Sequence, residues 1–320
     1  GTVCVGNLTA GGAGKTPAVL RLAEQLALRG RAPAILTRGY RRRSSEPVVF
    51  VEAFGEADPA RVGDEAALLA KRLTLAGTEA PIGVGAARHQ SGTALARAHE
   101  VDLFLLDDGF SHHALERELN LVLVDVSRPL FHDACLPLGR RREAFQALSR
   151  ADAFLLTRTP PGCSNTALTR RLRRYAPEAP VFRSRVAPLR LRSEDRVPHA
   201  PLELGEIHGS KVAAFCGLGN PDAFFTTLRE AGLEPISTTV FPDHHRYSLD
   251  DWWRIAAAAR DSGADLLVTT EKDIMNLAAE VPPEMRTGAP PLYALEIEMR
   301  IDDEPALLDL IERRLEERAR

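Results

Sequence analysis

The chain has 320 residues, with 41 Lys and Arg against 44 Asp and Glu for a formal net charge of −3, and 44% of its residues are hydrophobic. That is the balance of a globular chain long enough for two domains, and it excludes binding of nucleic acid through bulk positive charge. No apolar run reaches the ~18 residues that a membrane-crossing helix needs.

In chain order, short apolar runs alternate with helical patterns. Strands are expected at Thr2–Gly6, Ala32–Thr37, Pro47–Val51, Pro81–Gly85, Val101–Leu106, Leu121–Asp125 and Ala153–Thr157, and helices at Thr16–Arg29, Asp64–Leu73, Ala86–Glu100 and Arg142–Ser149. The alternation predicts an α/β fold, a parallel sheet with helices on both faces, over residues 1–185. A Pro- and charge-rich stretch over 186–209 reads as a crossover. Residues 210–320 then read as a second, smaller α/β lobe, expected to close over a cleft on the first. Its strands are expected at Val212–Cys216, Pro235–Phe241, Leu266–Thr270 and near Leu292–Ile297. Its helices are expected at Asp222–Ala231, Leu249–Ser262 and from Asp303 onward.

Four cysteines, Cys4, Cys135, Cys163 and Cys216, show no zinc spacing; Cys4 and Cys216 lie in apolar runs and are expected to be buried, in a reducing compartment. Arginines cluster at 38 and 41–43, at 140–142 and at 170–174. Such groups are commonly a solvated surface, but the first two flank loops where an anionic substrate would lie.

The strongest motif is GNLTAGGAGKT, from Gly6 to Thr16, between a strand and an amphipathic helix. Its glycines let backbone N–H groups wrap phosphate oxygens, and the helix N-terminus adds its dipole. Thr9, Gly11, Gly12, Ala13 and Gly14 are the expected cradle for the phosphates of a nucleoside triphosphate, which makes the expected fold of residues 1–185 P-loop NTPase-type. Lys15 is expected to reach the β- and γ-phosphates, and Thr16 to ligate Mg2+. Thr9 stands where the strict pattern has glycine. Asp107 and Asp108 end an apolar strand, where magnesium-side carboxylates belong. Asp64 and Glu65 open a helix and read equally well as caps. The strings FPDHHRYS and TTEKD end strands, the latter like a guanine-reading loop.

The ordered set VGNLTAGGAGKTP, TRGYRRR, VGDEAALLA, LLDDGFSHHALERELNLVLVD, LPLGRRRE, FCGLGNPDAFFTTLREAG, FPDHHRYS and TTEKD resembles the tetraacyldisaccharide 4′-kinases. The resemblance implies transfer of the ATP γ-phosphate to lipid A disaccharide 1-phosphate at the cytoplasmic face of a Gram-negative inner membrane, without nucleic acid. It implies Lys15, Asp64 and His244 as catalytic residues, with Asp64 as the base. Thr16, Asp107 and Asp108 fall on the metal side. Arg88, Ser111, His112, Arg142 and Glu143 fall on the acceptor side, and Glu271 and Asp273 on the nucleotide side. A membrane interface is expected, peripheral or through an anchor outside these residues, with Arg41, Arg42 and Arg43 holding the anionic surface. Departures are Ser111 for the family's glutamine, Arg41 and Arg42 for glycines, and LPLGRRRE for LPAGPLRE. Two other readings are a metal-insertion or carrier GTPase and a non-catalytic nucleotide sensor.

Overall fold

The apolar run from Thr2 to Asn7 forms strand β1, buried at every position, as a strand covered on both faces must be. It belongs to a computed structural model that describes residues 1–40, 42–160, 162–194, 200–207 and 209–319. Arg41 lies outside the described residues. Two compact units divide the chain. The first comprises Gly1–Ala57, Arg61–Val186 and Met299–Arg320, the second Asp58–Ala60 and Ala187–Glu298.

After β1 come α1 (Lys15–Leu28), β2 (Pro33–Thr37), β3 (Val48–Val51), the short α2 (Pro59–Val62), α3 (Asp64–Ala76), β4 (Ile82–Gly85), α4 (Arg88–Ala98), β5 (Leu103–Asp107), β6 (Leu119–Asp125), β7 (Ala153–Thr157), α5 (Thr166–Leu172) and the long β8 (Val181–Ser193). The first unit's strands are ordered β8-β7-β6-β1-β5-β2-β4-β3. Neighbours run parallel except β3, which is antiparallel to β4. From β1 the chain moves to β2 on one side and returns later to β6 on the other. β1 therefore marks a switch point, whose carboxyl-end crevice is where ligands bind in such sheets. The register sets Asp107 beside Val5 and Leu123 beside Asn7. α1 buries Ala18, Val19, Leu22, Ala23 and Leu26, one stripe at helical spacing.

The second unit contains β9 (Leu202–Glu203), β10 (Val212–Cys216), α6 (Pro221–Glu230), β11 (Pro235–Val240), α7 (Leu249–Asp261), β12 (Leu266–Thr270), α8 (Glu271–Glu280) and most of β13 (Leu292–Ile301). Here β11, β10, β12 and β13 are successive parallel neighbours. Its own core joins Leu191, Val212, Cys216, Phe224, Leu228 and Val268. Among the described residues, no helix is long and apolar enough to cross a membrane.

Four expectations change. The stretch read as a crossover contains the end of β8, whose Arg190 and Arg192 both pair with the buried Glu296; residues 195–199 and 208 lie outside the described residues. The second unit accordingly begins at Ala187, not at 210. The C-terminal helix α9 (Glu304–Ala319) belongs to the first unit. Its Glu304 pairs with Arg21 at 2.6 Å, and Asp309 and Glu312 each pair with Arg29 at 2.7 Å. Lastly, no α-helix starts at Arg142. The Arg142 N–H donates to the Leu8 carbonyl and the Arg141 N–H to Ala134, so the chain stays extended until a 3-10 turn at Phe145–Arg150.

Candidate active site

The glycine loop leaves β1 with Gly11 at φ 104° and Gly14 at φ 85°, a region that favours glycine. Gly14 opens α1, whose first turn has no side-chain cap, so its N–H groups are left for an anion. From the end of β7, the Thr157 hydroxyl donates to the Ala13 carbonyl at 2.9 Å and fixes the loop from beneath. On its other side the Ala10 N–H donates to Arg140. Residues 8–13 border a recess lined also by Leu123, Val124, Asp125, Arg128, Leu130 and Arg140.

Lys15 folds back over this loop. Its Nζ lies 3.2 Å from Asn7 Oδ1, 3.4 Å from the Gly11 carbonyl and 3.5 Å from Asp108 Oδ1. Asp108 has φ 52° and also takes Arg142 Nη1 at 2.8 Å. The turn carrying Asp108 packs against β1 because residue 6 is glycine: a Cβ there would stand 2.7 Å from the Phe110 backbone nitrogen.

Asp107 is 2% exposed. Its Oδ2 accepts from the Thr37 hydroxyl at 3.2 Å, while Oδ1 is buried and meets no donor. Burial, joined by the carboxylates of Glu65 and Asp108, pushes its pKa up to about 7; Lys15 and Thr37 oppose the shift. Asp64 starts α3, is nearly buried, and its Oδ1 accepts from the Glu65 N–H at 2.9 Å. Gly63 before it, at φ 92°, lies against the Gly39–Tyr40 backbone, joining the VGDE and TRGY strings.

On the acceptor side of the expectation, Glu143 accepts from Ser111 Oγ at 2.6 Å and from Arg150 Nη2 at 2.9 Å on both oxygens. Burial acts to raise its pKa, but these two donors hold it below the usual carboxylate range. Arg88 opens α4 and is buried. Its Nη1 donates to the Ala86 carbonyl at 2.9 Å, and its Nε meets no acceptor. Burial and nearby Arg38 lower its pKa. His112 is shifted down by partial burial and by Arg88 and Arg117, and its Nε2 also meets no partner. Arg42, expected at an anionic interface, donates instead to the carbonyls of Val84 and Glu46 within its own region.

In the second unit, His244 has φ 56°; its N–H donates to the Gly217 carbonyl at 3.2 Å, and its Nε2 lies 3.1 Å from Lys272 Nζ. Asp273 is fully buried on the first turn of α8. It accepts from the Gly217 N–H at 2.9 Å, Tyr247 Oη at 2.8 Å and Thr270 Oγ1 at 2.6 Å. A carboxyl group so enclosed braces its own loop, which leaves the half-buried Glu271 as the reachable acid of TTEKD.

The first unit thus gathers Lys15, Asp107, Asp108, Arg142, Ser111 and Glu143 around the end of β1 and β5. Asn7, Thr37 and Arg150 belong to these networks, and Lys272 to that of His244 in the second unit; the sequence did not single them out. Asn7, Thr37 and Lys272 sit inside strings already marked, so their positions were the available signal.

A family model described as Tetraacyldisaccharide-1-P 4′-kinase matches residues 2–316. The tetraacyldisaccharide 4′-kinase of Koribacter versatilis is 36% identical over 321 residues, covering 99% of this chain and 89% of the relative. That of Halothermothrix orenii is 34% identical, covering 93% and 80%. The crystal structure of the "apo" form of LpxK from Aquifex aeolicus in complex with ATP superposes with a TM-score of 0.73 at 28% identity, covering 98% of this chain and 88% of that one. With the family model matched over nearly the whole chain, the protein is a member of the tetraacyldisaccharide 4′-kinase family.

Proposed function

We propose that this chain transfers the γ-phosphate of ATP to the 4′-hydroxyl of tetraacyldisaccharide 1-phosphate, and that its glycine loop works as a P-loop. The observation that carries this reading is the meeting of Lys15, Asp108 and Arg142 at the mouth of that loop. Phosphoryl transfer depends on positioning and on neutralising charge. Lys15 leaves Asp108 for the β- and γ-phosphates, while the loop N–H groups between Gly11 and Thr16 hold the phosphate oxygens.

A divalent cation suits the residues present. Among the described residues no three acids, histidines or cysteines form a ready-made metal cluster, yet magnesium binds through one or two carboxylates together with phosphates. The unpartnered Asp107 Oδ1, in a carboxyl group that burial holds near neutrality, is a ligand in need of a cation. Thr16, Asp107 and Asp108 would hold magnesium, which when bound supplies neutralisation of the charge on the phosphates.

On the acceptor side, Arg88, His112 and Arg142 present donors to an anionic sugar phosphate, and Glu143 fixes Ser111. Asp64 takes the hydroxyl proton, a role worth about 10²–10⁴-fold; His244 is a second catalytic residue by family resemblance. Glu271 serves the nucleotide. With an acylated acceptor, the reaction belongs to a lipid interface, read as the cytoplasmic face of the inner membrane. The test is a nucleotide competition with acceptor dispersed in detergent. ATP is expected to support far faster product formation than GTP, and equal or better turnover with GTP would favour a GTPase.

A further inference from the structure

Two of the most exposed large apolar side chains of the molecule stand on one loop of the first unit: Leu138 is 90% exposed and Leu136 56%. The loop is clamped from within. The Asp133 carboxylate accepts from the Arg140 N–H at 2.9 Å and pairs with Arg140 Nε at 2.8 Å. The Leu136 N–H donates to the Arg141 carbonyl at 2.8 Å, and the Leu138 and Gly139 N–H groups both donate to Cys135. A Cβ at Gly139 would stand 2.4 Å from the Ala134 carbonyl oxygen, so only glycine lets the loop close this tightly. The leucines are therefore held outward by a fixed backbone, exposed to water at a free-energy disadvantage.

Beside them lies a basic surface. Arg141 stacks over Phe145 at 3.7 Å, and Arg171 of α5 stacks over Phe131 at 4.2 Å. Phe131, Phe145 and Tyr175 pack together with centroids 5.0–6.3 Å apart. One aromatic cluster thus ties the leucine loop to the arginine-rich end of α5. There Arg170, Arg171, Arg173 and Arg174 are all exposed, and among the described residues no ion pair neutralises Arg170, Arg173 or Arg174.

We propose that this loop and the end of α5 form a docking surface for an anionic lipid bilayer, with Leu136 and Leu138 entering the interface and the arginines resting on headgroups. This deepens, and rests on, the reading that the acceptor is acylated: it assigns the surface by which the enzyme reaches such a substrate. The chemistry separates this partner from others. Projecting aliphatic tips gain from hydrocarbon and have nothing to gain from a nucleic acid, whereas unpaired arginines are attracted to anionic lipid. A two-fold pairing of this patch with a second copy would set arginines against arginines.

The test is co-sedimentation of the full chain with vesicles, without ATP or acceptor. One set is phosphatidylcholine alone and the other contains roughly one quarter phosphatidylglycerol, the anionic component that arginines should sense. The wild type is expected to sediment with the anionic vesicles and much less with the neutral ones. Leu136→Ser with Leu138→Ser is expected to lower the partition coefficient at least about tenfold. Arg170→Ser with Arg173→Ser and Arg174→Ser is expected to lower it about fivefold per charge, an effect that shrinks as salt is raised. Circular dichroism should match wild type for both, since every substituted side chain is exposed. Wild-type protein that stays in the supernatant with both vesicles overturns the proposal, as does wild-type partitioning by either variant. Retention by duplex DNA in place of vesicles, or leucine-dependent dimers without vesicle binding, overturns it as well. Vesicle binding without phosphate transfer would leave this surface standing and remove the kinase reading. Transfer to detergent-dispersed acceptor without vesicle binding would do the reverse.

Discussion

The Ser111 hydroxyl donates a 2.6 Å hydrogen bond to the Glu143 carboxylate, and Arg150 reaches both oxygens of that carboxylate at 2.9 Å. The short Ser111 side chain is thus held by an acid from the neighbouring loop. Ser111→Ala should destabilise the protein by about 1–2 kcal/mol, the loss of one hydrogen bond to a charged group. Glu143→Ala should cost more, about 2–3 kcal/mol, because Arg150, which also packs over Phe110, keeps its charge without its partner. Urea unfolding midpoints at constant m-value measure both. The opposite ranking would show that Glu143 is not the hub of this network.

Asp273 gives a pH test in the second unit. Burial holds its folded-state pKa above the ordinary 3.8, against the bonds from Thr270, Tyr247 and Gly217. The folded protein therefore keeps a proton that the unfolded chain has released. The stability this contributes is full below 3.8 and is lost as pH rises through the raised value. Asp273→Asn keeps the shape and removes the titration. As pH rises above about 4 the wild-type melting temperature should fall more than that of the variant. Parallel curves would contradict the buried-carboxyl assignment.

The cysteines should divide by burial. Burial pushes the Cys4 thiol up to about 11 and Cys216 up to about 12, so neither supplies thiolate at neutral pH. Cys163 is exposed and Cys135 half-buried. A chromogenic disulfide reagent should modify Cys163 first and Cys135 more slowly, and reach Cys4 and Cys216 only after denaturant is added. Rapid modification of four thiols in the native protein would be the contrary result.

Much of the fold was legible because its signals are local. Buried parallel strands read as continuous Val/Leu runs, and the glycine loop, the Asp107–Asp108 pair and the Gly63–Asp64 turn each announce themselves within a few residues. What was not legible depends on distant partners. Arg190 and Arg192 made β8 look like a linker until Glu296 of β13 met them. The charged C-terminal helix gave no sign that Arg21 of α1 and Arg29 just after it would claim it for the first unit. TTEKD read as a base-recognition loop, whereas Thr270 caps α8 there by accepting from the Asp273 N–H, and Asp273 turns inward to Gly217 and Tyr247. Arg142 was expected in a helix, and its backbone bond to Leu8 keeps it extended beside the glycine loop.

The catalytic roles proposed for Asp64 and His244 make a kinetic prediction. If the two act as one base unit, Asp64→Ala, His244→Ala and the double variant should be grossly non-additive in kcat, the double little worse than the poorer single. Additive losses, or losses confined to KM, would leave Asp64 as a residue that binds or caps α3.

The most direct measurement is transfer of label from γ-labelled ATP to tetraacyldisaccharide 1-phosphate in detergent, comparing wild type with Lys15→Ala and locating the phosphate on the product. Wild type should give a 4′-phosphorylated product, and the variant should lose at least about 10²–10³-fold in kcat with its fold retained, since the charge facing the transferred phosphate is gone. Wild-type turnover by a folded Lys15→Ala protein, or label at another position, would contradict the kinase reading.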